Sequence, residues 1–376
     1  MNNHRDNKNY RDRNENPGFS DPFFLEGASF NLEELLSFCR QAVNDKNMPE
    51  WKLDVLAFMN LFLDPATGEI EQQTSGTTGN PKKFVLNRGS MIRSAAKTNQ
   101  YFGLKPGDPV LLCLPIRYIA GKMMVVRALL GGLNLRLAEP SSRPLKAFST
   151  GALKFGAMVP LQVHESLKNG DDLSVMDQLL IGGGEIHPAL KDKLIENERP
   201  VVFESFATTE TYTHFALKRI NGKQPDIDFR LLDGVSIARD KNGCLEVVVK
   251  GITEGRVITS DFVEVSSDGK GFRWLGRRDN VINSGGIKII PEVLEQIIRE
   301  VLGQDCLVLP QNDARLGESL VLVVETREKS PPLDRWLQLL REKLSRFEIP
   351  ARIIPVERIP RNTSFKPDRG EAFKLL

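Results

Sequence analysis

Hydroxyl side chains and glycines are concentrated in residues 74–83, which read TSGTTGNPKK. Glycine lets backbone N–H groups approach an anion closely, hydroxyl groups add short hydrogen bonds, and a lysine supplies positive charge. The segment is therefore predicted to bind phosphate. A Walker loop needs Gly-Lys followed by Ser or Thr after its second glycine, and this sequence does not match it. The residues predicted to form this phosphate site are Thr74, Ser75, Gly76, Thr77, Thr78, Gly79 and Lys82.

Two further polar segments follow predicted strands. GGGE at residues 182–185 follows an apolar strand predicted over 176–181, and FATTET at residues 206–211 follows one over 201–205. The second segment places the carboxylate of Glu210 directly after two threonines. Because ligands of open α/β sheets bind at the carboxyl ends of the strands, both segments and the phosphate-binding loop are expected to face one crevice.

The elements that must position these segments alternate between strands and helices. A strand over residues 110–115, a helix over 120–130 and a strand over 133–138 predict a parallel sheet. Apolar and polar residues alternate over 226–274, which predicts antiparallel strands. The predicted fold class is α/β, with a large N-terminal domain of mostly parallel sheets plus an antiparallel β subdomain, and a small α+β C-terminal domain. The predicted boundaries are 1–20 for a disordered tail, 21–278 for the large domain with 226–275 as its β-rich part, and 279–376 for the small domain.

The composition argues against several classes of protein. The chain has a formal net charge of +2 with 27% charged residues, which gives no basis for nucleic acid or an anionic membrane as the main partner. The most apolar window, residues 110–137, is interrupted by Arg117, Lys122 and Arg127 and so lacks the roughly 20 uncharged residues of a membrane span. The tail has no apolar run of a secretory signal. The cysteines form no CxxC pair and are expected to be reduced, which predicts a cytoplasmic protein.

The order of residues in TSGTTGNPKK resembles the signature loop of the adenylate-forming enzymes, which include acyl- and aryl-CoA synthetases, adenylation domains of peptide synthetases and luciferases. FATTET resembles the aromatic-Gly-x-Thr-Glu motif of the same family. The resemblance implies that Glu210 holds Mg²⁺ and that Thr209 contacts the α-phosphate. It also implies that Phe206, which replaces the usual tyrosine, stacks on adenine; Ala207 replaces the usual glycine. GGGE resembles the adenine-side loop of the family, which assigns to the nucleotide Gly183, Gly184 and Glu185.

Two short segments resemble further motifs of this family. Thr-Ser-Asp at residues 259–261 resembles a Thr-Gly-Asp motif, so Asp261 is expected to bind the ribose hydroxyls and Ser260 stands in place of glycine. In NTSFKPDRG, Lys366 corresponds to the catalytic lysine of the final motif. Pro367 follows it where glycine is usual, which makes the local backbone stiffer.

The longest match is LGRRDNVINSGGIKIIPEVLE at residues 275–295, which resembles the Gly-Arg-x-Asp and Gly-Gly-x-x-Ile-x-Pro pattern of the family. The resemblance implies that Arg277 contacts the ribose and that Asp279 is the hinge about which a mobile C-terminal domain turns. It also implies a CoA-side loop at Gly285 and Gly286.

The family resemblance implies ATP-dependent activation of a carboxylic acid as an acyl-adenylate, followed by transfer of the acyl group to CoA, with Mg²⁺ required. LPIRYIAGKMMVVRALLGG at residues 114–132 resembles a segment of the compact o-succinylbenzoate–CoA ligases of menaquinone biosynthesis. In that segment Arg127 falls at the spacing of an arginine that meets the substrate's carboxylate, and Tyr118 takes the place of a histidine. The implied partners are a small carboxylic acid, ATP and CoA, and the implied assembly is a monomer or homodimer.

Alternatives are open at this point. Arg127 could instead extend from a helix to the surface, in which case Lys122 or Arg117 becomes the candidate for the acid. The acid could be a benzoate-type or fatty acid, and the acceptor could be the phosphopantetheine arm of a carrier protein. A non-catalytic nucleotide-binding relative is the alternative from another class. The argument against it is the joint presence of Glu210, Asp261, Arg277 and Lys366.

Overall fold

A computed structural model describes residues 18–19, 21–42, 45–73, 83–148, 153–361 and 367–376. Helices and strands alternate through the first half of this part, and short strands dominate the second half. The predicted α/β class is confirmed. Among the described residues, no helix is both long and apolar enough to cross a membrane.

The bounds of the elements follow chain order. The helices are α1 Leu32–Ala42, α2 Glu50–Leu63, α3 Arg88–Tyr101, α4 Ile119–Gly131, α5 Pro160–Lys168, α6 Pro188–Ile195, α7 Pro291–Leu302, α8 Leu333–Lys343 and α9 Arg369–Phe373. The strands are β1 Phe23–Leu25, β2 Ala28–Phe30, β3 Glu69–Gln73, β4 Lys83–Asn87, β5 Pro109–Leu112, β6 Asn134–Leu137, β7 Leu153–Met158, β8 Met176–Ile181, β9 Val201–Ala207, β10 His214–Arg219, β11 Phe229–Leu231, β12 Val235–Arg239, β13 Cys244–Val249, β14 Val257–Val265, β15 Gly271–Arg277, β16 Ile282–Ser284, β17 Ile287–Ile289, β18 Cys306–Asp313, β19 Gly317–Glu325 and β20 Arg352–Val356.

The large sheet has the strand order β12-β13-β14-β15-β11-β10-β9-β8-β7-β5-β6-β1-β2. Strands β6, β5, β7, β8 and β9 pair in parallel, and those from β10 to β15 pair antiparallel. Parallel strands need long connections, and helices α4, α5 and α6 provide them. The carboxyl ends of β7, β8 and β9 consequently lie side by side at one edge.

Helix α4 lies deep in the large core because its sequence is apolar on nearly every face. Met123, Met124, Val125 and Val126 are buried, and the helix packs against α3. Gly121 makes the close approach possible: a Cβ there would collide with the carbonyl oxygens of residues 114 and 115. The helix is thereby pressed against the segment that follows strand β5.

Helix α3 begins earlier than the sequence suggests. The sequence predicts a helix over residues 91–101 with Ser90 as its N-cap, and both the start and the cap are wrong. The helix starts at Arg88, and Asn87 caps it by accepting a hydrogen bond from the backbone N–H of Ser90 at 2.9 Å. Asparagine caps as well as serine does, so the helix forms directly at the end of β4.

The C-terminal part builds a separate five-stranded sheet from β16 to β20. Strands β16 and β17 form a hairpin in which Gly285 and Gly286 are the two turn residues, with φ of 58° and 83°. Positive φ at both positions defines the tight turn that glycine adopts without strain. Helices α7 and α8 cover one face of the sheet through a buried cluster that includes Leu294, Ile298 and Leu340.

Candidate active site

The carboxyl ends of strands β8 and β9 bring two of the predicted ligand-binding segments together. Ile181 pairs with Glu204 in the parallel register, and the hydroxyl of Ser205 donates to the carbonyl of Ile181 at 3.1 Å. A Cβ on Gly182 would lie 2.5 Å from that hydroxyl oxygen, so a larger residue would displace the Ser205 side chain and break this hydrogen bond. The GGGE segment therefore lies directly beside the segment that follows β9.

The third predicted segment, residues 74–82, lies outside the described residues. The predictions for Thr74, Ser75, Gly76, Thr77, Thr78, Gly79 and Lys82 therefore stay predictions. Strands β3 and β4 on either side of the segment form an antiparallel pair in which Gln73 lies opposite Lys83.

Glu210 lies on a short 3₁₀ turn, Thr209–Thr211, at the carboxyl end of β9. The turn is held by Thr211, whose hydroxyl oxygen is buried in it, 3.2 Å from the backbone N of Thr208 and 2.9 Å from the carbonyl of Thr213. The residue between Thr211 and Thr213 is Tyr212, with φ of 62°. Left-handed backbone at an aromatic residue costs about 1–3 kcal/mol and is typical of functional loops.

The donor set at this turn fits Mg²⁺. Glu210 is exposed and offers carboxylate oxygens, which Mg²⁺ prefers. In the part of the chain that the structure describes, no group of three or more His, Cys, Asp or Glu residues could hold a metal alone. Mg²⁺ is usually bound by one or two carboxylates together with substrate phosphates and water, and Glu210 can supply one such carboxylate. The side chain of Thr209, the predicted phosphate contact, lies outside the described part.

The predicted adenine side consists of Phe206 and the GGGE loop. Phe206 is half-buried, and its ring makes edge contacts with Phe215, Phe229 and Phe272 at centroid distances of 5.6, 5.3 and 5.1 Å. Gly183 is exposed with φ of 76°, and Gly184 and Glu185 follow it toward helix α6. A fixed ring therefore lies beside an accessible backbone loop.

The predicted ribose side is formed where β14 and β15 pair. Asp261 lies opposite Arg277 in the register, and its carboxylate is 3.7 Å from the guanidinium. The indole Nε1 of Trp274 donates to the same carboxylate at 3.1 Å and holds it in place. Arg277 also pairs with Asp279 at 2.9 Å, so the predicted ribose contacts and the predicted hinge residue are joined.

Arg127 is almost completely buried, with 3% of its surface exposed. Its Nη2 donates to the hydroxyl of Thr213 at 3.1 Å, and Nη1 lies 3.2 Å from the sulfur of Met124. Its Nε has no hydrogen-bond partner among the described residues. Burial lowers the pKa of Arg127 to about 10. The structure thus places a buried cation, with hydrogen-bonding capacity unused, beside the turn that carries Glu210.

The other candidates for the acid are placed differently. Tyr118 is exposed at the start of α4, about 13 Å along the helix axis from Arg127, so one acid contacts both only by lying along the helix. Lys122 donates to the carbonyl of Glu71 and to the side chain of Gln72, both at 2.9 Å. The ammonium group of Lys122 therefore connects α4 with the end of β3, which leaves Arg127 as the stronger candidate.

The C-terminal sheet meets the large sheet beside the GGGE loop. His187 caps helix α6 by accepting from the backbone N–H of Ala189 at 3.2 Å, and its Nε2 lies 3.0 Å from a carboxylate oxygen of Asp305. Asp305 in turn pairs with Arg361, which forms a β-bridge with Pro367. Lys366, the predicted catalytic lysine, lies outside the described residues. Gly285 and Gly286, the predicted CoA-side loop, form the hairpin tip described above.

Sequence reasoning missed Thr213, His214 and Trp274. Thr213 and His214 follow FATTET after one intervening residue, Tyr212, and His214 begins the apolar strand β10, where a buried polar residue is out of pattern. That break in the apolar pattern was the available signal. Nothing in the sequence pairs Trp274 with Asp261, because their contact depends on the register of β14 and β15.

Comparisons with known proteins identify the family of this chain. The sequence profile described as AMP-binding enzyme matches residues 72–249. The crystal structure of an acyl-CoA synthetase (AMP-forming)/AMP-acid ligase II-like protein from Dyadobacter fermentans is 32% identical in sequence, with a TM-score of 0.61. The match covers 90% of this chain and 98% of that one. The chain belongs to the AMP-binding enzyme family, and its class is that of the AMP-forming acid–CoA ligases.

Within this class the chain is similar to ligases named for one acid. The 2-succinylbenzoate–CoA ligase of Bacillus thuringiensis subsp. konkukian is 26% identical over 339 residues, which are 81% of this chain and 69% of that protein. Two structures of o-succinylbenzoate CoA synthetase from Bacillus subtilis hold the acyl-adenylate in one case and ATP with a magnesium ion in the other. Each is 21% identical with a TM-score of 0.65, over 80% of this chain and 68% or 69% of theirs.

Proposed function

We propose that the protein joins o-succinylbenzoate to CoA through an acyl-adenylate, with ATP converted to AMP and pyrophosphate. The observation that carries this proposal is the buried guanidinium of Arg127 beside the turn of Glu210. The similarity to 2-succinylbenzoate–CoA ligases supports the same acid.

The argument from Arg127 is electrostatic. A buried charge without a partner costs several kcal/mol, and no carboxylate among the described residues pairs with this guanidinium. Arginine binds a carboxylate through two parallel N–H groups, and Nε of Arg127 has no partner of its own. o-Succinylbenzoate keeps a second carboxylate when its first is activated. That second carboxylate supplies the missing negative charge, whereas a fatty acid or benzoate has none to offer.

The reaction assigns roles to the remaining residues. An oxygen of the acid forms a bond to the α-phosphorus of ATP, and the bond from that phosphorus to pyrophosphate breaks. Asp261 and Arg277 hold the ribose, and Lys366 stabilises the negative charge that builds on the phosphate oxygens. Glu210 would hold Mg²⁺, which would neutralise phosphate charge when bound. The sulfur of CoA then attacks the acyl carbon, and AMP leaves.

Pyrophosphate release from Mg-ATP tests the proposal. We expect release that depends on o-succinylbenzoate and CoA, with little release for benzoate, a medium-chain fatty acid or no acid. Release with another acid would retain the reaction and overturn the substrate. ATP binding without release for any acid would favour the non-catalytic alternative.

Arg127→Leu tests the role of the buried guanidinium. Loss of a charged hydrogen-bonding partner is expected to raise KM for o-succinylbenzoate at least tenfold, while KM for ATP stays unchanged. Arg88→Met is the matched control, because Arg88 is also buried but has partners within the protein. Its Nε donates to the carbonyl of Phe62, and its guanidinium lies close to the rings of Phe19 and Phe62. Equal effects of the two variants on KM for the acid would overturn the role of Arg127.

Lys366→Ala separates the two half-reactions. Adenylate formation is expected to fall by about a hundredfold or more, the usual cost of removing one donor to a developing oxyanion. Thioester formation from a supplied acyl-adenylate is expected to fall much less, because the lysine is not needed once pyrophosphate has left. Equal losses in both steps, measured by single-turnover kinetics, would contradict this role.

A further inference from the structure

A line of hydrogen-bonding groups runs from helix α3 to Arg127 on helix α4. The hydroxyl of Thr98 is 3.2 Å from the carbonyl of Ser94 and 3.4 Å from Nε2 of His214. Nδ1 of His214 is 3.2 Å from the hydroxyl of Thr213, which accepts from Nη2 of Arg127 at 3.1 Å. Thr98, His214 and Arg127 are buried. This arrangement is called the Arg127 chain below.

The two ends fix the direction of the outer bonds in the Arg127 chain. A backbone carbonyl can only accept, so Thr98 donates to Ser94 and accepts from Nε2 of His214. A guanidinium can only donate, so Thr213 accepts from Arg127. Burial, and next the charge of Arg127, lower the pKa of His214 well below its usual value, so the ring is neutral with its proton on Nε2. Nδ1 of the neutral ring then accepts from the hydroxyl of Thr213 at 3.2 Å.

The Arg127 chain has a consequence for the guanidinium. One N–H of Arg127 is held by Thr213, which sets the plane of the group, and Nε keeps its proton for a ligand. Thr213 is itself placed by the left-handed residue Tyr212 and by the contact of its carbonyl with Thr211. The position of the cation is thus coupled to the turn that carries Glu210.

We propose that Thr213 and His214 are positioning residues that hold the Arg127 guanidinium ready for the second carboxylate of the acid, and so determine the preference for dicarboxylic acids. The inference rests on the proposed role of Arg127 in binding the acid. His214 contributes as a hydrogen-bond acceptor toward Thr213. A side chain that fills the same space without that acceptor leaves the hydroxyl of Thr213 free to turn and compete for the acid.

Conservative variants test the acceptor directly. His214→Asn places an amide oxygen near the position of Nδ1, whereas His214→Gln places an amide nitrogen near that of Nε2 and lacks the acceptor at Nδ1. We expect KM for the dicarboxylic acid to rise about tenfold in His214→Gln and to stay within about threefold of the wild-type value in His214→Asn. Thr213→Val is expected to raise KM for the acid as much as His214→Gln does, and Thr213→Ser is expected to keep KM for the acid at the wild-type value. KM for ATP stays unchanged in all four, and kcat changes less than KM for the acid.

Thr326→Val is the control for Thr→Val substitution at a mostly buried site, because Thr326 follows strand β19 far from the Arg127 chain. Thr213 is partly exposed, so its variants are expected to fold even if those of His214 do not. If Arg127→Leu raises KM for the acid but Thr213→Val and His214→Gln do not, the positioning role is overturned and the proposed function stands. If Arg127→Leu also has no effect, both fail. Equal effects of Asn and Gln at His214 would show a packing role only and overturn the inference.

Discussion

Two buried charges, one in each sheet region, differ in how completely the protein neutralises them. Glu295 on helix α7 is 3% exposed, and its carboxylate accepts from the backbone N–H of Val308 at 2.8 Å and from Arg369 at 2.8 Å. Nη2 of Arg299 also lies 3.6 Å from the Glu295 carboxylate. Arg127 is equally buried, but no described carboxylate pairs with it and one of its nitrogens has no partner.

The difference separates a structural charge from one that awaits a ligand. Glu295 joins helix α7 to strand β18 and to helix α9 through the partners that the chain itself provides, so its role is complete without any other molecule. Under the proposed function, Arg127 gains its partner only when an acid is bound. Stability measurements should therefore respond mainly to Glu295, and substrate measurements mainly to Arg127.

The largest effect is expected for Glu295→Ala. At pH 8, where the Glu295 carboxylate is ionised, its removal leaves the backbone N–H of Val308 without an acceptor and leaves Arg369 with only the more distant carboxylate of Glu292 at 3.5 Å. The free energy of unfolding is expected to fall by about 3 kcal/mol. Chemical denaturation followed by circular dichroism measures the change. Glu300→Ala, on the exposed face of the same helix, is the control and should change stability by less than about 0.5 kcal/mol. A loss of stability as small as that of Glu300→Ala would show that Glu295 is not an important structural charge.

The pH dependence of stability gives the next effect. Burial raises the pKa of Glu295 from 4.5 to about 7, against the opposing influence of Arg369. Between those values the folded state keeps a proton that the unfolded state has released, so stability falls as pH rises from about 5 to about 7. The contribution is at most about 3 kcal/mol. The free energy of unfolding of Glu295→Gln should differ from that of wild type by an amount that changes with pH in this window. A difference that stays constant would contradict the raised pKa of Glu295.

His214 should change the pH dependence of stability in the direction opposite to Glu295. Its pKa is lowered in the folded state by burial and by Arg127, so the unfolded state takes up a proton below about pH 6.5 while the folded state does not. Stability is therefore lost as pH falls, by about 1 kcal/mol per pH unit. His214→Asn should remove that loss. The test is the difference between the two unfolding curves from pH 7 to pH 5, and parallel curves would refute the prediction.

Arg127→Leu should have the smallest effect on stability. An unpaired buried charge is replaced by an apolar side chain, so the free energy of unfolding is expected to change by less than about 1 kcal/mol or to increase. Thermal and chemical unfolding of the ligand-free protein measure it. A loss similar to that of Glu295→Ala would mean that Arg127 is a structural charge after all, and the comparison would fail.

Much of the fold was predictable because the apolar pattern is local. The strand predicted over residues 176–181 matches β8, and the predicted strand-helix-strand unit matches β5, α4 and β6 within a few residues. The adjacency of the GGGE and FATTET segments also follows from strand order, since parallel neighbours end at the same edge. Ser90 was assigned the wrong role because Asn87 and Ser90 have equivalent capping chemistry and local sequence cannot choose between them.

The rest of the candidate site depends on contacts between distant segments. His214 meets Thr98 across 116 positions of the chain, and Trp274 reaches Asp261 only through the pairing of β14 with β15. The burial of Arg127 was likewise open at the sequence level, because a charged residue on an apolar helix can also extend to the surface. These contacts depend on the tertiary structure, so the sequence pattern of a single segment does not predict them.

The contact of His187 with Asp305 makes the junction of the two sheet regions sensitive to salt. The two side chains are 32% and 13% exposed, so water and dissolved ions can take the place of either partner when the contact opens. The strength of this contact should therefore fall as ionic strength rises.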